Sequence, residues 1–255
     1  MESIPRRNLL GVSGALAGGT LLGLAESESE EPGKKSKREA RLKVVVVGAH
    51  PDDPETGCGG TMARYAAAGH RVTALYLTRG ERGIRGQSLE EAASIRTAEA
   101  QEACRILGAK PLFAGQIDGD TATGNRRYEE FLKIVQGEDP DLLFTHWPID
   151  RHRDHRAASM LAFDAWLKLD RKFDLYFYEV VSGRQSQTFS PTHYIDITAT
   201  ESLKKKATYA HASQNPEGLY RRHDLMNRFR GSEYRCEFAE AFVRHVQGAD
   251  HEFRF

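Results

Sequence analysis

Two short segments carry side chains suited to metal-assisted hydrolysis. One is His50-Pro51-Asp52-Asp53 and the other is Asp150-Arg151-His152-Arg153-Asp154-His155. Each brings imidazole and carboxylate groups. Catalytic zinc takes three nitrogen or oxygen ligands from the protein and leaves a position for water. Two histidines and one carboxylate, drawn from both segments, meet that requirement. Either segment alone is a weak signal, because a His-x-x-Asp spacing arises by chance and an acidic helix start is ordinary. Their weight comes from acting together, which requires a fold that joins positions remote in sequence.

The pattern from Leu42 onward supplies such a fold. Lys43 to Gly48 is a run of valines, the mark of a strand buried on both faces. A glycine-rich turn and a helix over Gly59–Gly69 follow, then a strand over Arg71–Thr78. Ser88-Leu89-Glu90-Glu91 is a capping box, opening a helix that runs to Leu107 and stops at Gly108. Further strands are expected at Lys110–Ala114, Asp141–His146, Leu175–Val180 and Tyr194–Thr198. Helices are expected at Arg126–Gln136, at Arg153–Leu169 and through most of Glu201–Val246. This alternation predicts an α/β, Rossmann-like fold: a mainly parallel twisted sheet with helices on both faces. Ligands of such sheets bind beyond the carboxyl ends of the strands. His50–Asp53 follows the first strand and Asp150–His155 follows the strand ending near His146, so both loops fall at that edge. The dinucleotide fingerprint Gly-x-Gly-x-x-Gly is replaced by His50-Pro51-Asp52-Asp53, which argues against a nucleotide-binding module.

Longer words are more specific. Ala49-His50-Pro51-Asp52-Asp53 continues into Gly57-x-Gly59-Gly60-Thr61. Thr78-Arg79-Gly80-Glu81-Arg82-Gly83 follows, then Arg96-x-x-Glu99-x-x-x-Ala103-x-x-x-Leu107-Gly108, then Pro148-x-Asp150-x-His152-x-Asp154-His155. In this order they resemble the LmbE-like, or PIG-L, family of zinc-dependent N-deacetylases, from about Lys43 to at least His155. Lys206–Gln214 is also similar. One departure stands out. Pro54 occupies the position where the family word usually carries Glu, and Glu55 comes next, with the following glycines in register.

The resemblance implies one divalent ion, zinc, held by His50, Asp53 and His155. It implies Asp52 as the general base toward the attacking water. It also implies His152, as imidazolium, stabilising the oxyanion or protonating the leaving amine, with Asp154 orienting or charging that ring. The expected reaction removes acetyl from an N-acetylated amino sugar or its conjugate, a small-molecule substrate. An amidase acting on another small conjugate is the alternative within the family. A non-catalytic metal- or carbohydrate-binding module is the alternative outside it, but that module would need neither Asp52 nor His152. Arg96 has two readings on its apolar stripe of Ala93, Ala100, Ala103 and Leu107. It reaches over the sheet edge to bind a substrate hydroxyl, or it snorkels and pairs with Glu99. His146 and His211 carry no assigned role, and His70, His193, His223, His245 and His251 show no ligand partner.

Composition narrows the partners. The 255 residues include 36 Lys plus Arg and 36 Asp plus Glu, so the basic excess usual in nucleic-acid binders is absent. Cys58, Cys104 and Cys236 are far apart with no CxxC pair, which favours small buried hydrophobes over a cysteine zinc site. Arg6-Arg7 before the mild apolar run Leu9–Ala25 resembles a twin-arginine (Tat) export signal over residues 1–25. A charged linker is expected at residues 26–41 and the deacetylase domain at 42–255. The protein is therefore expected to be periplasmic or extracellular, without stable membrane insertion after signal cleavage, since the apolar run is short for a span.

Overall fold

The computed structural model describes residues 41–246. The expected signal at 1–25 lies outside these residues, as do all but the last position of the linker and His251. The strands are β1 (Lys43–Gly48), β2 (Arg71–Thr78), β3 (Lys110–Gln116), β4 (Leu142–His146), β5 (Asp174–Tyr178), β6 (His193–Asp196) and β7 (Ala239–Arg244). The helices are α1 (Asp53–Ala67), α2 (Leu89–Leu107), α3 (Asn125–Glu138), α4 (Arg153–Lys168), α5 (Glu201–Ala210) and α6 (Pro216–Tyr234). The strands form one sheet in the order β3-β2-β1-β4-β5-β7-β6. From β3 to β5 the neighbours run parallel, and β7 is antiparallel to β5 and β6.

The valine run explains the layering. Side chains alternate along a strand, so Val44 and Val46 pack with Met62, Ala103 and Ala207 of α1, α2 and α5. Val45 and Val47 pack with Phe131, Leu161 and Trp166 of α3 and α4. The sheet is mainly parallel and has helices on both faces, as its sequence pattern requires. The capping box forms as expected, with Glu91 N donating to Ser88 Oγ and Ser88 N donating to the Glu91 carboxylate.

Two segments differ from expectation. Helix α1 begins at Asp53 rather than Gly59. Pro54 sits in its first turn, where a missing N–H costs nothing. The glycines that resemble a turn lie inside the helix because neighbours approach it closely. A Cβ on Gly60 would stand 2.6 Å from Ile197 Cβ, and one on Gly57 would collide with the Tyr178 ring. The second difference is β7, which occupies part of the segment expected to be helical. Ala and Glu favour helix, but Ala239-Glu240-Ala241-Phe242 completes the sheet between β5 and β6. Glu240 is buried and accepts from Gly60 N at 2.9 Å, Thr61 N at 2.8 Å and Lys204 Nζ at 2.6 Å. Strand β7 thereby helps to hold α1 against the sheet.

The strand order reverses between β1 and β4. From β1 the chain builds outward through β2 and β3, then returns to lay β4 on the other side of β1. The loops leaving these two strands feed helices on opposite faces, and a crevice opens between them. The close approach at α1 has a measurable consequence. Gly57→Ala forces a methyl into the Tyr178 ring and should lower stability by about 1–3 kcal/mol, as overpacking does. Gly137→Ala, in α3 with nothing near the added Cβ, should instead stabilise by up to about 1 kcal/mol. Urea denaturation of the two variants checks the contrast.

Candidate active site

At the turn leaving β1, two adjacent carboxylates part company. Asp52 has φ 114° and ψ −27°, a left-handed conformation that is strained for a residue with a side chain. Its carbonyl accepts from Thr56 N at 2.9 Å as α1 begins. The carboxylate of Asp53 turns inward, accepting from His50 N at 2.8 Å. Its Oδ2 lies 3.3 Å from His50 Nδ1 and its Oδ1 3.3 Å from His155 Nε2. The carboxylate of Asp52 goes the other way, accepting from Arg96 Nη2 at 2.9 Å.

Arg96 is only 3% exposed, so it does not snorkel. The same Nη2 also donates to the Pro51 carbonyl. Glu99, its alternative partner, instead accepts from Ser213 N at 2.7 Å and Ser213 Oγ at 2.8 Å. The glycines of the Thr78–Gly83 word make room for the guanidinium: a Cβ on Gly80 would stand 2.5 Å from Arg96 Nη1. Arg96 lines the cavity over the site, but its Nη2 is committed to the turn that carries Asp52.

The second segment opens α4. His152 is the residue before the helix, and Asp154 and His155 lie in its first turn, both buried. Nδ1 of His155 is 3.4 Å from Asp150 Oδ1, so a carboxylate orients that ring from behind, with Gln185 Nε2 3.2 Å from the same nitrogen. The Asp154 side chain does not hydrogen-bond the His152 ring, although its charge raises that ring's pKa as a lesser influence. The Asp154 carboxylate accepts from Gly119 N at 2.7 Å and Thr121 Oγ1 at 2.7 Å, and lies 3.1 Å from His50 Nε2. It orients His50 instead, because the first turn of α4 directs it toward the loop after β3. His152 Nδ1 accepts from the Asp154 backbone N–H at 3.3 Å.

Three further groups join the site. Asp118, in the loop after β3, stands 3.3 Å from His50 Nε2. Nothing in its local sequence marks it except its place beyond a strand's carboxyl end. His146 is stacked on His155 with ring centroids 3.9 Å apart, and its Nε2 accepts from Ala49 N at 3.1 Å. A neutral imidazole has one acceptor nitrogen, so His146 braces the His50 loop. His211 faces Glu55 at 3.2 Å, and Glu55 also accepts from Tyr76. The carboxylate that follows Pro54 is thus buried behind the turn.

Protonation follows from this crowding. Burial opposes charge on His50, but Asp118, Asp154 and Asp53 hold its pKa well above the ordinary value. Against the same opposition, Asp53 and Asp150 raise His155 to about 9. Burial pulls Asp53 upward, yet His155 and His146 keep it well below the usual carboxylate range. Asp52 is raised to about 6, because burial outweighs the Arg96 cation. Burial, then His50 and His155, depress His152, and burial with His155 lowers His146 to about 4. The carboxylates therefore impose a demand for positive charge on buried imidazoles.

A divalent ion answers that demand through lone pairs rather than protons. Among the described residues, three overlapping triads bring donor atoms within 4.8 Å of one another: His50–His152–His155, Asp53–His146–His155 and His50–Asp118–Asp154. His50 and His155 each belong to two of these triads and Asp53 to one; the Asp53 carboxylate lies 3.3 Å from both rings, and this mixed imidazole–carboxylate set fits a zinc-like ion. A cavity of about 420 Å³ opens over the cluster, with Asp52, Asp118, His152 and His223 in its walls. Among the described residues, no helix is long and apolar enough to cross a membrane.

Comparison with known proteins agrees with this geometry. Residues 45–166 match the family model of PIG-L, the GlcNAc-PI de-N-acetylases. The diacetylchitobiose deacetylase of Thermococcus kodakarensis is 28% identical over 193 residues, covering 70% of this chain and 72% of that protein. The uncharacterized deacetylase YaiS of Escherichia coli is 31% identical over 138 residues, 50% of this chain and 71% of that one. The crystal structure of the conserved protein TT1542 from Thermus thermophilus superposes with a TM-score of 0.71 at 32% identity, covering 84% of this chain and 99% of that chain. The matched span runs from β1 into α4 and contains both segments of the site, so this chain belongs to the PIG-L, or LmbE-like, family.

Proposed function

We propose that this chain is a zinc-dependent hydrolase that removes the acetyl group from an N-acetylated amino sugar or its conjugate. The observation that carries the reading is the division at Asp52 and Asp53, where one carboxylate joins two histidines and its neighbour faces the cavity under a buried arginine. A binding module would have no use for the second carboxylate. The deacetylase names of the relatives support the same reaction class. The reading includes export through the twin-arginine segment at residues 1–25, to a periplasmic or extracellular location.

His50, Asp53 and His155 would hold the ion. When bound, it supplies Lewis-acid polarisation of the amide carbonyl and acidifies water. Asp52 takes a proton from the attacking water. With a pKa near 6 it is ionised at neutral pH yet basic enough to accept that proton. His152 stands on the cavity wall with its ring centroid 4.7 Å from that of His50. Its depressed pKa makes the resting ring neutral, so it meets the developing oxyanion as an N–H donor rather than as a resident imidazolium. The proton accepted by Asp52 is the one the amine nitrogen needs when the C–N bond breaks, and the second water proton passes from the new carboxyl group to the amine, so acetate and an ammonium are released without another acid.

Two experiments test the assignment. Asp52→Asn should lower kcat for amine release from N-acetylated sugars by about 10²–10⁴ while zinc content stays at the wild-type level. His155→Ala should lose zinc as well as activity. Equal zinc loss in both would remove the distinction between base and ligand. In the second experiment, the rate is followed against pH. Asp52 works ionised, so kcat/KM falls as pH drops through its pKa. Arg96 lowers that pKa, so Arg96→Met should move the acid limb to higher pH; an unmoved limb assigns it to another group.

A further inference from the structure

Helix α6 brings an unexplained histidine to the cavity. His223 is fully buried and lines the same cavity as Asp52 and His152. Neither Nδ1 nor Nε2 has a hydrogen-bond partner among the described residues. It lies on the buried stripe of α6 with Tyr220, Asn227, Arg230 and Gly231. The polar neighbours on that stripe are engaged: Tyr220 donates to Glu201, Arg230 Nε donates to Glu179 at 2.6 Å, and Asn227 Oδ1 accepts from Lys204 Nζ at 3.1 Å. A leucine would fill the same place without burying two unpaired nitrogens, which destabilise a folded chain. A polar group arriving in the cavity would supply the missing partner.

We propose that His223 is a substrate-binding residue whose neutral imidazole hydrogen-bonds a ring hydroxyl of the N-acylated sugar. This rests on the deacetylase reading for the class of ligand and on the burial of His223 for the contact. Burial and the nearby Lys204 push the His223 pKa down to about 3, so the ring stays uncharged. A neutral imidazole offers one donor and one acceptor. A hydroxyl also gives and takes, whereas a carboxylate only accepts and an ammonium only donates. Leu219, one helical turn earlier, lines the same cavity and offers apolar surface beside the imidazole.

The test compares the full chain with its His223→Phe and His223→Gln variants, using N-acetylglucosamine as the probe. Dissociation constant, melting temperature and steady-state kinetics of acetate release are measured on each. Loss of one good hydrogen bond should raise Kd and KM about tenfold in His223→Phe, with kcat changed by less than about threefold. The melting temperature should equal or exceed that of wild type, because no internal partner is lost. His223→Gln, which keeps a donor and an acceptor, should recover part of the affinity. Unchanged Kd and KM in His223→Phe would overturn the proposal. So would a fall in melting temperature with an affinity loss that His223→Gln does not recover, or failure of the wild type to bind the sugar. Binding to the wild type without acetate release, weakened tenfold in His223→Phe, would overturn the deacetylase reading and uphold His223 as a sugar ligand.

Discussion

The carboxylate of Asp53 is where the two halves of the site meet. It is 4% exposed and lies within 3.3 Å of imidazoles from its own turn, from the end of β4 and from α4. A buried carboxylate without partners would be severely destabilising. Here the backbone N–H of His50 and the rings of His50 and His155 offset that cost, and Asp118, Asp150 and Asp154 hold those two rings from the far side. The reversal of strand order between β1 and β4 is what lets one carboxylate reach both loops. The layers of the fold, the direction of α4 and the packing of α1 all serve that contact.

Beside this hub the chain separates two chemically identical side chains by backbone geometry. The strained conformation at Asp52, of a kind that costs about 1–3 kcal/mol, directs its carboxylate away from the imidazoles and toward Arg96. Arg96 pins the turn through the Pro51 carbonyl and restrains the Asp52 pKa, which burial would otherwise raise further. Gly80 and Gly83, in the loop after β2, leave the space that the guanidinium occupies. A motif of spaced glycines is therefore part of the electrostatics of Asp52.

Much of this was legible in the sequence. The valine run, the capping box at Ser88 and the apolar stripe of α4 report burial and helix ends directly, so β1, β2, α2, β4 and α4 emerge close to their observed bounds. The resemblance names residues that the fold then gathers into one cluster. The rest depends on contacts that local pattern does not encode. The glycines of α1 resemble a turn until Tyr178 and Ile197 are seen against them. The composition of β7 favours helix, and only its place between β5 and β6 makes it a strand. Asp154 has the spacing to serve His152, yet its side chain leaves the helix in another direction. Asp118 belongs to no pattern, and His223, which shows no ligand partner in the sequence, stands out only when its buried nitrogens are found unpaired.

The central claim is that the ion belongs to the set joined by Asp53 rather than to the neighbouring carboxylates. Anomalous diffraction at the zinc edge, from crystals of the full chain grown with zinc, tests this directly. One peak is expected within about 2.0–2.2 Å of His50, Asp53 and His155 together. A peak held by His50, Asp118 and Asp154, with Asp53 outside bonding distance, would contradict it.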